Sequence, residues 1–306
     1  MTVDSSATPA GQPSAGPGNP GAADQAAPSE RRPSAAAAGA LQIQLAVLTA
    51  LTGGVLAAGS YLGTVPLLVA VAAVQLLLTL SWLFGTAVPG LRGGLVLALL
   101  AAGGADAATM HWPHSGYSPV LGVLGLAVPL MFAHQLSRGV VRTRVVESLA
   151  DITVLLVAVV ALAGLLVLRR QGNGDILTPA VLGAITAGLV AAHFTDAVYP
   201  VPRFDPAVDR GLPAVVVGVL AGALVGLLGL RRVIEFSGGR GAFVGAAIAA
   251  VACLLSIGAA FSGVRASTLP AVPVGRAVRL RPVAAVLMTV ALSTPAAYVL
   301  VNALAG

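Results

Sequence analysis

The sequence predicts an all-α protein: a polytopic transmembrane helical bundle of about nine spans behind a disordered N-terminal tail. Three observations predict it. Nine apolar stretches follow one another from Leu41 to the C-terminus, each near the roughly 20 helical residues that cross a hydrocarbon core. Of the 306 residues, 57% are hydrophobic and 9% charged, against about 25% charged in a soluble domain. So few charges cannot build a polar shell around a water-soluble core, and lipid removes the need for one. All 17 basic residues are arginine, and most fall in the short breaks between apolar runs. A closed barrel would need alternating segments of about ten residues; these runs are continuous and longer.

Residues 1–40 are rich in alanine, glycine, proline and serine, as in Gly16–Pro28, GPGNPGAADQAAP. They can bury too little apolar area to offset the entropy of ordering, which predicts a disordered tail. A signal peptide is not expected, because the first apolar run starts some forty residues in and eight more follow. The bundle then occupies residues 41–303. Its expected spans are Leu41–Gly59, Leu62–Leu83, Leu91–Thr109, Ser118–Leu136, Leu149–Leu168, Leu177–Tyr199, Pro213–Leu230, Gly241–Phe261 and Arg281–Ala303. The breaks carry turn chemistry: Ser60-Tyr61, Val88-Pro89-Gly90, Trp112-Pro113, Gly172-Asn173-Gly174 and Ser237-Gly238-Gly239. Almost nothing joins the first two spans, so they should form a tight antiparallel hairpin.

The arginines give a direction. With the N-terminus in the cytoplasm, that side holds twelve: Arg31, Arg32, Arg92, Arg138, Arg142, Arg144, Arg203, Arg210, Arg265, Arg276, Arg279 and Arg281. The other side holds five: Arg169, Arg170, Arg231, Arg232 and Arg240. The bias predicts a cytoplasmic N-terminus and an external C-terminus. The absence of lysine and the wealth of alanine, glycine, valine and leucine suggest a high-GC, actinobacterial-like genome, hence the bacterial cytoplasmic membrane. The net charge of +6 reads as topology and not as a nucleic-acid footprint, since no basic block carries interleaved aromatics. The partners implied are the lipid bilayer, other membrane proteins or a second copy of the chain. Cys253 is the only cysteine; it permits no intramolecular disulfide and reads as a small packed hydrophobe. Gly218, Gly222 and Gly226, four apart, allow close helix contact, either in a homo-oligomer or within the bundle.

Ionisable groups at membrane depth are candidate functional residues. His193 and Asp196 share a helix face near the end of the sixth span, and Tyr199 continues it. The following loop, PVPRFDPAVDRGLP, adds Arg203, Asp205, Asp209 and Arg210. These charges either hold a divalent cation and a phosphate together or solvate one another at the interface. Glu147 and Asp151 open the fifth span at i,i+4 spacing, near Arg142 and Arg144; the helix dipole favours them there in any case. The candidate roles are therefore catalytic for Asp196 and Asp209, phosphate- or cofactor-holding for Arg203 and Arg210, and metal-binding for Glu147, Asp151, His193, Asp196 and Asp205. Asp106, His111 and His114 form a further possible metal set, although Pro113 breaks any helical alignment. Trp112 and Tyr117 fit an interfacial belt, and His134 has no evident partner. Mid-span polar residues are few: Gln75, Thr79 and Ser256. No phosphate-binding glycine loop, serine-nucleophile motif or H-E-x-x-H motif is present.

The order of events in the second half resembles the membrane-bound phosphatidate cytidylyltransferases. Span six ends in HFTDAVYP, with Asp196 and Tyr199; a loop with Pro206 and Gly211 follows; the last span carries STPAAYVLV, with Pro295 and Tyr298. The resemblance covers the layout of residues 60–303 and is distant and degenerate in detail. It implies a lipid nucleotidyltransferase fold using Mg²⁺, and carries over Asp196 alone. No carboxylate lies between Glu235 and the C-terminus, where that family places acidic metal ligands. The sequence therefore leans away from an enzyme and implies no cofactor, with Mg²⁺ expected only in the enzymatic alternative. The leading expectation is a non-catalytic scaffold or accessory component. A phospholipid nucleotidyl- or phosphotransferase and a transporter or permease are the alternatives.

Overall fold

The computed structural model describes residues 35–86, 90–137, 145–205, 208–233, 236, 239–267 and 276–305. Among these, nine helices are long and apolar enough to cross a membrane, and they fall on the nine apolar runs. They are α1 (Ala35–Leu62), α2 (Thr64–Thr86), α3 (Leu91–His111), α4 (Ser118–Ser137), α5 (Val145–Leu162) continued by the short α6 (Gly164–Arg169), α7 (Gly174–Val198), α8 (Leu212–Gly229), α9 (Arg240–Ser267) and α10 (Arg276–Ala305). Residues 1–34, which carry most of the expected tail, lie outside the described residues. Residues 35–40, AAAAGA, already belong to α1, as the high helix propensity of alanine allows.

Two features depart from a plain set of straight spans. The fifth span, Val145–Arg169, breaks at Ala163. There the Ala163 N–H bonds Val160 O at 3.1 Å, an i→i−3 contact that releases Val159 O from its usual donor. A two-stranded antiparallel hairpin, β1 (Arg203–Asp205) and β2 (Val208–Gly211), follows α7, with Arg203 opposite Gly211 and Asp205 opposite Val208.

The α5–α6 span is the central post, 78% buried, whereas α4 and α8 are 22% buried and lie at the periphery. Around the post, α5 packs on α3, α4 and α10, while α7 packs on α1, α8 and α9. As expected, α1 and α2 form a tight hairpin. Only Gly63 separates them, at φ +129°, a conformation that favours glycine.

Glycine also sets the distance between α8 and α9. A Cβ at Gly218 would lie 2.7 Å from Gly188 O and 2.8 Å from Cys253 Sγ, and one at Gly222 would lie 2.7 Å from Gly245 O. The glycine stripe is thus used inside the bundle, where Cys253 is the expected packed hydrophobe. Gly103 and Gly122, by contrast, face open space.

Gly222→Leu should therefore force α8 from α9 and destabilise the protein by about 1–3 kcal/mol or more. Gly103→Leu should be tolerated. Thermal unfolding in detergent measures both, and equal effects would contradict the packing described.

Candidate functional site

Near its C-terminus α7 turns His193 and Asp196 into the bundle, each 3% exposed, while Phe194 and Val198 face outward. The chain then leaves the helix and folds back. Leu212 N–H bonds Pro202 O at 3.1 Å, closing the hairpin base, and β2 inserts Val208 and Arg210, 1% and 5% exposed.

Arg210 is the hub. Its Nη1 donates to Asp196 Oδ2 at 2.9 Å, and its Nη2 donates to Ser256 Oγ on α9. Nη2 also lies 3.4 Å from His193 Nε2. A guanidinium offers no acceptor, so His193 Nε2 accepts and the ring proton sits on Nδ1. That proton is donated to Gln42 Oε1 on α1, 2.9 Å away. The other oxygen of Asp196, Oδ1, accepts from Gly211 N–H at 2.8 Å. One buried network thus ties α1, α7, β2 and α9 together.

Asp196 and Arg210 neither lie solvated at an interface nor stand open to a cation and a phosphate. They face each other inside the bundle because the hairpin folds inward. Both carboxylate oxygens of Asp196 hold donors. Tyr199 does not continue the face; it follows the end of α7 and is exposed. Arg203 is exposed and Asp205 half-buried on β1. The Asp209 side chain lies outside the described residues, as do Arg142 and Arg144. Glu147 and Asp151 sit on α5, which packs mainly on α3, α4 and α10, whereas α7 packs mainly on α1, α8 and α9. Among the described residues, no three His, Cys, Asp or Glu side chains could hold a metal ion.

A second polar centre lies at the break in the central post. Gln75 Nε2 donates to the released Val159 O at 2.9 Å and to Asp106 Oδ1 at 3.1 Å. Asp106 is buried, whereas His111 and His114 are exposed, so the expected Asp106–His111–His114 set does not assemble. Tyr117 is not a simple belt residue either. Its hydroxyl reaches to 3.5 Å from Ala161 O over Gly164, where a Cβ would come within 2.6 Å of it. Its ring packs on Tyr298. Burial, and then the neighbouring Tyr298, push the Tyr117 phenol above its ordinary range. At the same end Arg169 donates to Ser60 O at 3.2 Å, and Arg170 donates to Met110 O at 3.2 Å and Thr109 O at 3.4 Å. Both close the last carbonyls of neighbouring helices.

Sequence reasoning missed Gln42 as a partner of His193. Its one signal was an amide in the first turns of an otherwise apolar run. Comparison with protein families, curated proteins and solved structures found no match for this chain.

Asp196→Asn keeps an acceptor for Gly211 N–H but leaves the Arg210 charge buried without its counter-charge. It should destabilise the fold by about 3–5 kcal/mol. Adding Arg210→Met should recover much of that loss. Denaturant unfolding of the single and double variants measures it; a double variant no better than the single would refute the ion-pair account.

Proposed function

We propose that this integral membrane protein is a non-catalytic scaffold or accessory component of a bacterial cytoplasmic membrane, with its N-terminus in the cytoplasm. One observation carries the reading: Asp196, the best catalytic candidate, is paired with Arg210 and Gly211 inside the bundle. Residues suited to chemistry serve here to join elements. The proposed orientation rests on the arginine bias. Two of the five arginines on the opposite side, Arg169 and Arg170, have a structural reason to be there, since they close helix ends.

The cytidylyltransferase-like alternative would require Asp196 to exchange Arg210 for Mg²⁺. The permease alternative draws on the Gln75–Asp106 pair beside the break at Ala163, because broken helices and intramembrane carboxylates line transport paths. That pair is closed on itself and on Val159 O, which is a sufficient structural role.

Purified protein should bind no cytidine nucleotide with Mg²⁺ and phospholipid, either as wild type or as Asp196→Ala, by calorimetry. Mg²⁺-dependent binding that Asp196→Ala abolishes would restore the enzymatic reading. Reporter fusions should place the C-terminus outside; a cytoplasmic C-terminus would overturn the orientation.

A further inference from the structure

On the side of the bundle where α2 ends and α10 begins, α10 packs on α2, α5 and α9, but α5 and α9 stay apart. They leave a groove of about 460 Å³, within the range of roughly 300–1,000 Å³ typical of ligand pockets. Its walls are apolar: Val154 of α5, Leu254 and Leu255 of α9, and Met288 and Leu292 of α10, with Trp82 of α2. The Trp82 indole N–H donates to Asp151 O at 3.1 Å, which fixes that wall. Val154 and Leu254 are 40% and 61% exposed, so the groove opens sideways, where lipid surrounds the bundle.

Arg281 lines the same groove. Its Nε donates to Gly85 O at 3.4 Å, and among the described residues its Nη1 and Nη2 have no protein partner. Arg210 and Arg170, by contrast, direct Nη groups to protein acceptors. Asp151 is the one acidic residue in the lining, and it is not paired with Arg281. Arg279 precedes Arg281 on α10 and is exposed, and no carboxylate follows Glu235.

We propose that the groove binds one acyl chain of an anionic phospholipid, entering sideways from the bilayer, with the lipid phosphate on Arg281. A long apolar trough with a forked cation at its polar end matches that chemistry. Neutral lipid lacks a net charge for the cation. The proposal does not depend on the scaffold reading.

Gly258 lines the groove, and a Cβ on it would meet nothing within 4 Å. Gly258→Phe therefore fills the groove without disturbing helix packing, and Gly103→Phe is the matched control on open surface. Protein reconstituted with equal phosphatidylglycerol and phosphatidylcholine would be examined by native mass spectrometry for retained lipid. Wild type and Gly103→Phe should retain phosphatidylglycerol about tenfold over phosphatidylcholine, the effect of one charge-assisted contact. Arg281→Gln should abolish the preference, and Gly258→Phe should lose the lipid. A second measurement leaves the groove intact. In Trp112→Phe, Trp82 is the remaining tryptophan, and phosphatidylglycerol with brominated chains should quench it more than brominated phosphatidylcholine. Equal retention of both lipids, equal quenching by both, or lipid retained unchanged in Gly258→Phe would each overturn the proposal.

Discussion

Hydrocarbon offers no hydrogen bonds, so every polar group carried into it must be satisfied by the protein itself. That constraint accounts for the places where this bundle departs from a simple set of apolar rods. Where the central post breaks at Ala163, Val159 O loses its helical donor, and Gln75 from α2 supplies another. Where α1 and α3 end, Arg169 and Arg170 close the last carbonyls. Where the chain brings an arginine inside on β2, Asp196, His193, Gln42 and Ser256 surround it. Each solution joins elements distant in sequence, so local satisfaction creates tertiary structure.

The same constraint separates two halves with different packing. Between α7, α8 and α9, small residues bring backbones into direct contact, as Gly218 against Gly188 and Gly222 against Gly245 demonstrate. No hydrophobic force draws helices together in lipid, so this closeness rests on van der Waals contact and directional polar bonds. The charge network lies in that tight half. On the opposite flank, between α5 and α9, the helices stay apart and leave the groove beside Arg281. One arginine is enclosed and paired inside the protein; the other keeps two donors for something beyond it.

The spans were legible in the sequence because lipid demands a minimum length of apolar helix. Observed helices such as α3 at Leu91–His111 and α4 at Ser118–Ser137 match the expected runs within two residues. The hairpin was not legible. Residues 203–211 read as a charged loop, and nothing in RFDPAVDRG announces that Val208 and Arg210 turn inward. The shared face of His193 and Asp196 was visible from their spacing. Arg210 was in view in the following loop, but Gln42, which accepts from His193, and Ser256, which accepts from Arg210, were not, because they are remote in sequence and periodicity carries no information about which helices become neighbours. For the same reason Asp106 was grouped with His111 and His114, nearest in the chain, when its partner is Gln75, 31 residues away.

A buried ion pair is costly to desolvate, and a well-packed apolar substitute is often no less stable. Its contribution here is better sought in geometry. Alanine, leucine and valine faces recur along all nine spans, so apolar packing alone distinguishes poorly between one helix register and the next. A guanidinium that needs Asp196 on α7 and Ser256 on α9, beside a histidine that needs Gln42 on α1, is satisfied at one depth only. Sliding α7 by one turn, about 5.4 Å, would strand a charge in hydrocarbon, and sliding α1 or α9 would strand a buried polar side chain. The cluster that first resembled a catalytic site thus serves as the register mark of the fold. Arg281, which no such network encloses, instead lines the groove at the flank of the bundle.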